Sequence, residues 1–169
     1  MAHPATSTTN GPHKHAHAVY EAARAVLNDK LNPQTKTIKV SIVPSNQARS
    51  FVQVAPAPGG LPMMQTTENV ENRIVTLVAG RAAEIVLDDG TTPGGPDSSF
   101  EYALHLAEQH ADNTVINWRK KAPNYAYDMV ERCLERAKTL VKENEQQIRK
   151  VSAALQEKGT LTDADLASI

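Results

Sequence analysis

"RIVTLVAGRAAEIVL", residues 73–87, decides how the rest of the chain is read. With the residues before it, it predicts a helix over Thr67 to Leu87. Val70, Ile74, Leu77, Val78, Arg81 and Ile85 fall at helical spacing and predict its inner face. Gly80 sits inside this pattern. A mid-helix glycine costs about 1 kcal/mol relative to alanine. Its expected use is to let a neighbouring element come close.

Upstream, "VYEAARAVL" (residues 19–27) lies in a second helical pattern, predicted over Ala16 to Asp29. Val19, Ala22, Ala23, Val26 and Leu27 share one face. Asn32-Pro33 stops it, because the residue before a proline disfavours helical backbone. "KTIKVSIVP" then alternates Ile38, Val40 and Ile42 with Lys39, Ser41 and Val43, which predicts a strand with one buried side. "ARSFVQVAP" predicts a second strand. The "PSNQ" between them is hairpin length, so the pair is expected to be antiparallel. "APAPGGLPMM" reads as a surface loop.

Downstream, "DDGTTPGGPD" breaks the helix. Ser98-Ser99-Phe100-Glu101 predicts a capping box opening a helix to about Ala111. A connection holding Trp118 spans about 112–123. A long helical pattern over Tyr125 to Lys158 follows, with a break expected near Glu143-Asn144, and Thr162 caps a last helical turn. The expected fold class is mainly α with a small antiparallel β-hairpin (α+β). The expected organisation is a flexible His/Pro/Ser/Thr-rich tail over 1–15 and a single domain over 16–169. About 112–169 would form its C-terminal helical part.

Composition narrows the function. The 169 residues carry 18 Lys+Arg against 19 Asp+Glu, and aromatics make up 4%. Neither a basic field nor stacking platforms exist for nucleic acid. No apolar run approaches the roughly 20 residues that span a bilayer, so membrane insertion is not expected. The N-terminal stretch has neither the apolar segment of a signal peptide nor the arginines of a transit peptide. A soluble protein of the cytoplasm is the expectation. The single cysteine, Cys133, excludes an internal disulfide and reads as a small packed side chain.

Five stretches in order resemble the peptidase domain of the FtsH-type ATP-dependent zinc metalloproteases: "YEAARAVL", "KVSIVP", "RIVTLVAGRAAEIVL", "GTTPGGPDSSFEYALHLAEQ" and "VERCLERAKTLVKENEQQIRKVSAALQEKGTL". Together they cover about residues 16–166. The resemblance implies the family's largely helical fold with a small sheet, and its habit of forming hexamers. The family's ATPase module is not matched. No Gly-x-x-x-x-Gly-Lys-Ser/Thr phosphate loop occurs, so no ATP site is expected in this chain.

The resemblance also implies where chemistry would sit. The family's zinc helix carries His-Glu-x-x-His, two imidazoles one turn apart with a glutamate that works on the zinc-bound water. Tyr20 and Arg24 stand at the two histidine positions, and Glu21 stands at the general-base position. A neutral phenol is a poor ligand. A guanidinium has no lone pair to give and repels a cation. Glu21 is expected to pair with Arg24 at i, i+3. The family's third ligand is an aspartate after its Thr-Thr-Gly loop. Counting from Thr91-Thr92 selects Asp97, whereas aligning through Ala103 and Ala107 selects Ser99, and both remain open.

Three functions follow from these readings. The first is a catalytically inactive peptidase homologue, with no cofactor, that binds proteins or peptides. Its partner would be itself in a homo-oligomer, a peptide segment, or an active FtsH-type protease. Ser50, Phe51, Val52 and Gln53 would offer the strand edge for an extended peptide. The second is an active zinc metalloendopeptidase with His17, Glu21 and Asp97 as ligands. The third is a structural or oligomerisation domain. The "HKHAH" run adds His13 and His17 at i, i+4 as a weak alternative metal pair. His105 and His110 read as structural or solvent-facing.

Overall fold

A computed structural model describes residues 12–59, 65–87 and 98–169, with side chains from residue 14 onward. The expected "DDGTTPGGPD" loop, Asp97 and the first eleven residues lie outside these. The described residues are mainly helical with a small antiparallel sheet, as the sequence predicts.

The first helix, α1, runs Pro12–Leu31, so it begins inside the expected tail and takes in His13 and His15. It is not the one-faced helix of the periodicity. Ala16, Ala18, Val19, Ala22, Ala23, Ala25 and Leu27 are all buried, while Val26 is only half-buried. Small side chains suit a helix enclosed on several sides, since they let neighbouring backbones approach. The neighbours are α2 (Thr67–Val86), α6 (Glu145–Lys158) and the strand β1 (Thr35–Ser41).

Helix α2 is capped by Thr66, whose hydroxyl accepts from the Asn69 backbone N–H at 3.2 Å. Its buried arc also departs from the expected face. Val70, Ile74 and Val78 are buried as predicted, and Val75, Ala79, Ala82 and Ala83 join them. Ile85 is 45% exposed and the Arg81 side chain 42% exposed. The cause is enclosure: α2 packs against α1, α3 (Ser98–Thr114) and α5 (Tyr125–Glu143). That broad contact leaves only a narrow outer edge, and Arg81 and Ile85 stand on it.

Helix α3 begins at Ser98, where the sequence opens it. It runs on to Thr114, shortening the expected connection, which also holds the short helix α4 (Trp118–Lys121). Trp118 is buried and its Nε1 donates to Asp112 at 2.8 Å. The helical pattern over 125–158 breaks at Asn144, between α5 and α6, as expected. Gly159 ends α6 with a positive φ of 78°, a conformation glycine adopts without strain. Thr162 caps the closing helix α7 (Asp163–Ala167) in a reciprocal capping box with Asp165.

The hairpin is part of a three-stranded antiparallel sheet, ordered β2-β1-β3, with β2 at Phe51–Pro56 and β3 at Thr160–Thr162. The β1–β2 connection spans 42–50, longer than "PSNQ" alone. The alternation of β1 is broken by a bulge. Thr37 pairs with Val54 and Lys39 with Gln53, leaving Ile38 as the extra residue. Thr37 therefore turns inward and is fully buried, where its hydroxyl accepts from Asn28 at 3.3 Å. Asn28 also accepts from Asn32 at 3.3 Å, and Asn32 donates to Thr76 on α2 at 3.0 Å. This buried polar chain joins the end of α1 to both β1 and α2. It also explains Asn32, which a sequence reading treats only as a helix stop.

Strand β3 has three residues, yet its Leu161 is fully buried and belongs to the core cluster. Leu161→Ala is expected to cost about 2–5 kcal/mol by chemical denaturation, the range for emptying a buried leucine site. Leu140→Ala, at a half-buried position, should cost clearly less. Equal costs would mean that β3 does not close the core.

Candidate functional site

One turn of α1 and its surroundings bring together the residues that the sequence singles out. Glu21 is 2% exposed. A buried carboxylate needs partners, and Glu21 has one for each oxygen. Oε2 accepts from the Arg24 guanidinium at 3.0 Å, the pairing that the i, i+3 spacing predicts. Oε1 accepts from the Ser50 hydroxyl at 2.6 Å, within the range of a charge-assisted O–H···O⁻ bond. Ser50 immediately precedes β2, which is an edge of the sheet. The contact therefore ties the entry of that edge strand to the middle of α1.

Tyr20 points to the other side of the cluster. Its hydroxyl lies 3.0 Å from the Ser99 hydroxyl in the first turn of α3. Its ring lies where a side chain on Gly80 would be. A Cβ added at Gly80 would fall 2.5 Å from Tyr20 Cε2. The glycine of "AGRAAE" is thus required by the aromatic ring that faces it across the α1–α2 contact. The Arg24 guanidinium carbon stands 5.9 Å from the Tyr20 ring centroid, within reach of a cation–π attraction. Arg24 Nε is buried with no hydrogen-bond partner among the described residues.

Tyr20, Glu21, Arg24, Ser50 and Ser99 therefore converge on one place. Of the two third-ligand candidates, Ser99 meets Tyr20, and Asp97 lies outside the described residues. The donor set does not suit zinc. A guanidinium cannot coordinate, a neutral phenol hydrogen-bonded to a serine is a weak ligand, and both Glu21 oxygens are engaged. Among the described residues, no three His, Cys, Asp or Glu side chains are grouped as a metal would need.

The remaining candidates scatter. His13 lies in the first turn of α1, and its side chain is outside the described set. His15 Nδ1 lies 3.0 Å from the Gln156 side-chain amide on α6. His17 is half-buried one turn before Glu21. His105 contacts Gln109 at 3.1 Å on an exposed surface. His110 is buried, with Nε2 3.1 Å from the Thr67 hydroxyl. Cys133 is buried, with its thiol 3.8 Å from the Glu71 carbonyl, and burial pushes the thiol up to about 11. It is a packed side chain, not an activated nucleophile. Phe51 and Val52 are half-buried and Gln53 is exposed along β2, and Lys39 Nζ stands over the Phe51 ring at 5.7 Å.

Sequence reasoning missed Ser50 as the second partner of Glu21 and the Tyr20–Ser99 contact. Both join residues far apart in the chain, and no local spacing announces them. A family model described as peptidase family M41 matches residues 7–113, more than half of the chain. No curated protein matches it.

Gly80→Ala is expected to displace the Tyr20 ring and to destabilise the protein by about 1–3 kcal/mol, the usual cost of overpacking. Tyr20→Ala in the Gly80→Ala background should recover part of that loss. A double-mutant cycle with no coupling would show that the ring does not depend on the glycine.

Proposed function

This chain belongs to peptidase family M41, as an FtsH-type peptidase domain, and from that premise we propose that it is catalytically inactive and acts by binding. The observation that carries this reading is the ion pair between Arg24 and the buried Glu21. A general base must reach a water molecule that a metal has activated. Glu21 has a permanent cation on one oxygen and a serine hydroxyl on the other. Arg24 places positive charge where a second cation would have to enter, and Tyr20 is committed to Ser99. The same features disfavour an active metallopeptidase built from His17, Glu21 and Asp97, since Glu21 would first have to give up both partners.

The partner in this reading is an extended peptide segment, added as a guest strand along the outer side of β2 over Phe51 to Gln53, with Ser50 just before the strand. Exposed sheet edges bind this way through main-chain hydrogen bonds. The family's hexamers make a ring of this chain, or a mixed assembly with an active FtsH-type protease, the natural setting for such binding. No helix of the described residues is long and apolar enough to cross a membrane.

Untagged protein purified without added zinc is expected to contain no stoichiometric metal and to leave casein intact, with or without chelator. Tyr20→His/Arg24→His/Ser99→Asp should gain zinc, measured by elemental analysis. Stoichiometric zinc in the wild type together with chelator-sensitive cleavage would refute the proposal. Loss of that metal in both His17→Ala and Glu21→Gln would then assign the alternative ligands.

A further inference from the structure

We infer that Glu21 is a positioning residue in this chain: through Ser50 it anchors the entry of edge strand β2 to α1, so that the edge is held ready for a guest strand. This deepens the binding reading above and rests on it. The geometry is specific. Ser50 donates to Oε1 at 2.6 Å, and it is the last residue before β2 begins at Phe51. The segment it fixes ends a nine-residue connection, 42–50, whose other side chains from Val43 to Arg49 are exposed, apart from a half-buried Ala48. Among the described residues, Ser45 and Ala48 bond to each other and to Gln47, and the ties of Ile42 to Gly159 and of Val43 to Ser41 hold the β1 end of the connection rather than its β2 end. A long exposed connection leaves a strand end loosely placed unless something inside holds it.

Arg24 has a matching part. A lone buried carboxylate would be costly, and Arg24 compensates it at 3.0 Å. It also leaves the second oxygen available to Ser50. The residue at the general-base position thus does a different task. Each of its oxygens already accepts a side-chain hydrogen bond, and it fixes the strand along which a peptide would lie. Tyr20–Ser99 adds a second tie, from the same helical turn to the start of α3.

Hydrogen exchange on the uncomplexed full chain tests this without any peptide. Ser50→Ala should speed exchange of the β2 amides that pair with β1 by about tenfold, in line with losing a hydrogen bond to a charged group. The amides of α1 and α2 should keep their protection. Ser50→Thr, which keeps the hydroxyl, should keep the β2 protection as well. Unchanged exchange in Ser50→Ala would overturn the inference. So would a uniform rise over α1, α2 and β2, because that describes a general stabiliser rather than an anchor. Short fluorescein-labelled peptides tiled across casein provide the second arm. Those that bind the wild type should bind Ser50→Ala about tenfold more weakly and Ser50→Thr as the wild type does. If no peptide binds the wild type, the binding function fails while the exchange result still decides the anchor.

Discussion

Glu21 must be satisfied where it is buried, and the local structure is arranged around that demand. A carboxylate in the middle of α1, almost sealed from water, has two oxygens to satisfy. One is met from its own helix by Arg24, and the other from the sheet by Ser50. Neither bond alone is sufficient. With only Arg24, one oxygen would be left buried without a donor, and with only Ser50 the charge would be uncompensated. The pair of contacts turns a buried charge into a junction between a helix and the strand edge.

That junction depends on how closely α1 and α2 approach. Alanines on both helices bring the backbones together, and Gly80 goes further by leaving room for a whole aromatic ring. The ring in turn sets the Tyr20 hydroxyl at Ser99 and gives the Arg24 guanidinium a face to rest on. Small residues on α2 therefore determine side-chain geometry on α1. The penalty of a mid-helix glycine is about 1 kcal/mol, and it is offset here by tertiary packing.

The sequence reveals the elements better than their faces. The presence and order of the main helices, the break at Asn144, the Thr162 cap and the antiparallel pairing all follow from local chemistry, although α1 and α3 run several residues beyond their expected ends. Periodicity cannot show enclosure. It assigns Ile85 to the inside because the spacing allows it, whereas three helices around α2 decide which arc is buried. It places Ile38 on the buried side of β1, because a bulge is a property of two strands and not of one. It misses β3, too short to leave a pattern, although Leu161 completes the core. The candidate site divides the same way. Tyr20, Glu21 and Arg24 are legible because they share one helical turn. Ser50 is legible only as part of a strand edge; its tie to Glu21 comes from the fold, where twenty-nine residues of separation become a 2.6 Å contact.

The chemistry of the site follows from the sign of one charge. A metal centre concentrates anionic and neutral donors around a cation that the protein does not encode. Here the cation is encoded, as Arg24, and it cannot dissociate, be chelated or exchange its ligands. A guanidinium satisfies a carboxylate through hydrogen bonds of fixed direction, so the geometry it enforces is as definite as coordination. It offers no open position at which a water could be activated. A helix carrying Tyr20, Glu21 and Arg24 therefore ties α3 and the entry of β2 to α1 through side-chain hydrogen bonds. What the arrangement fixes is the placement of α3 and of the edge strand relative to α1.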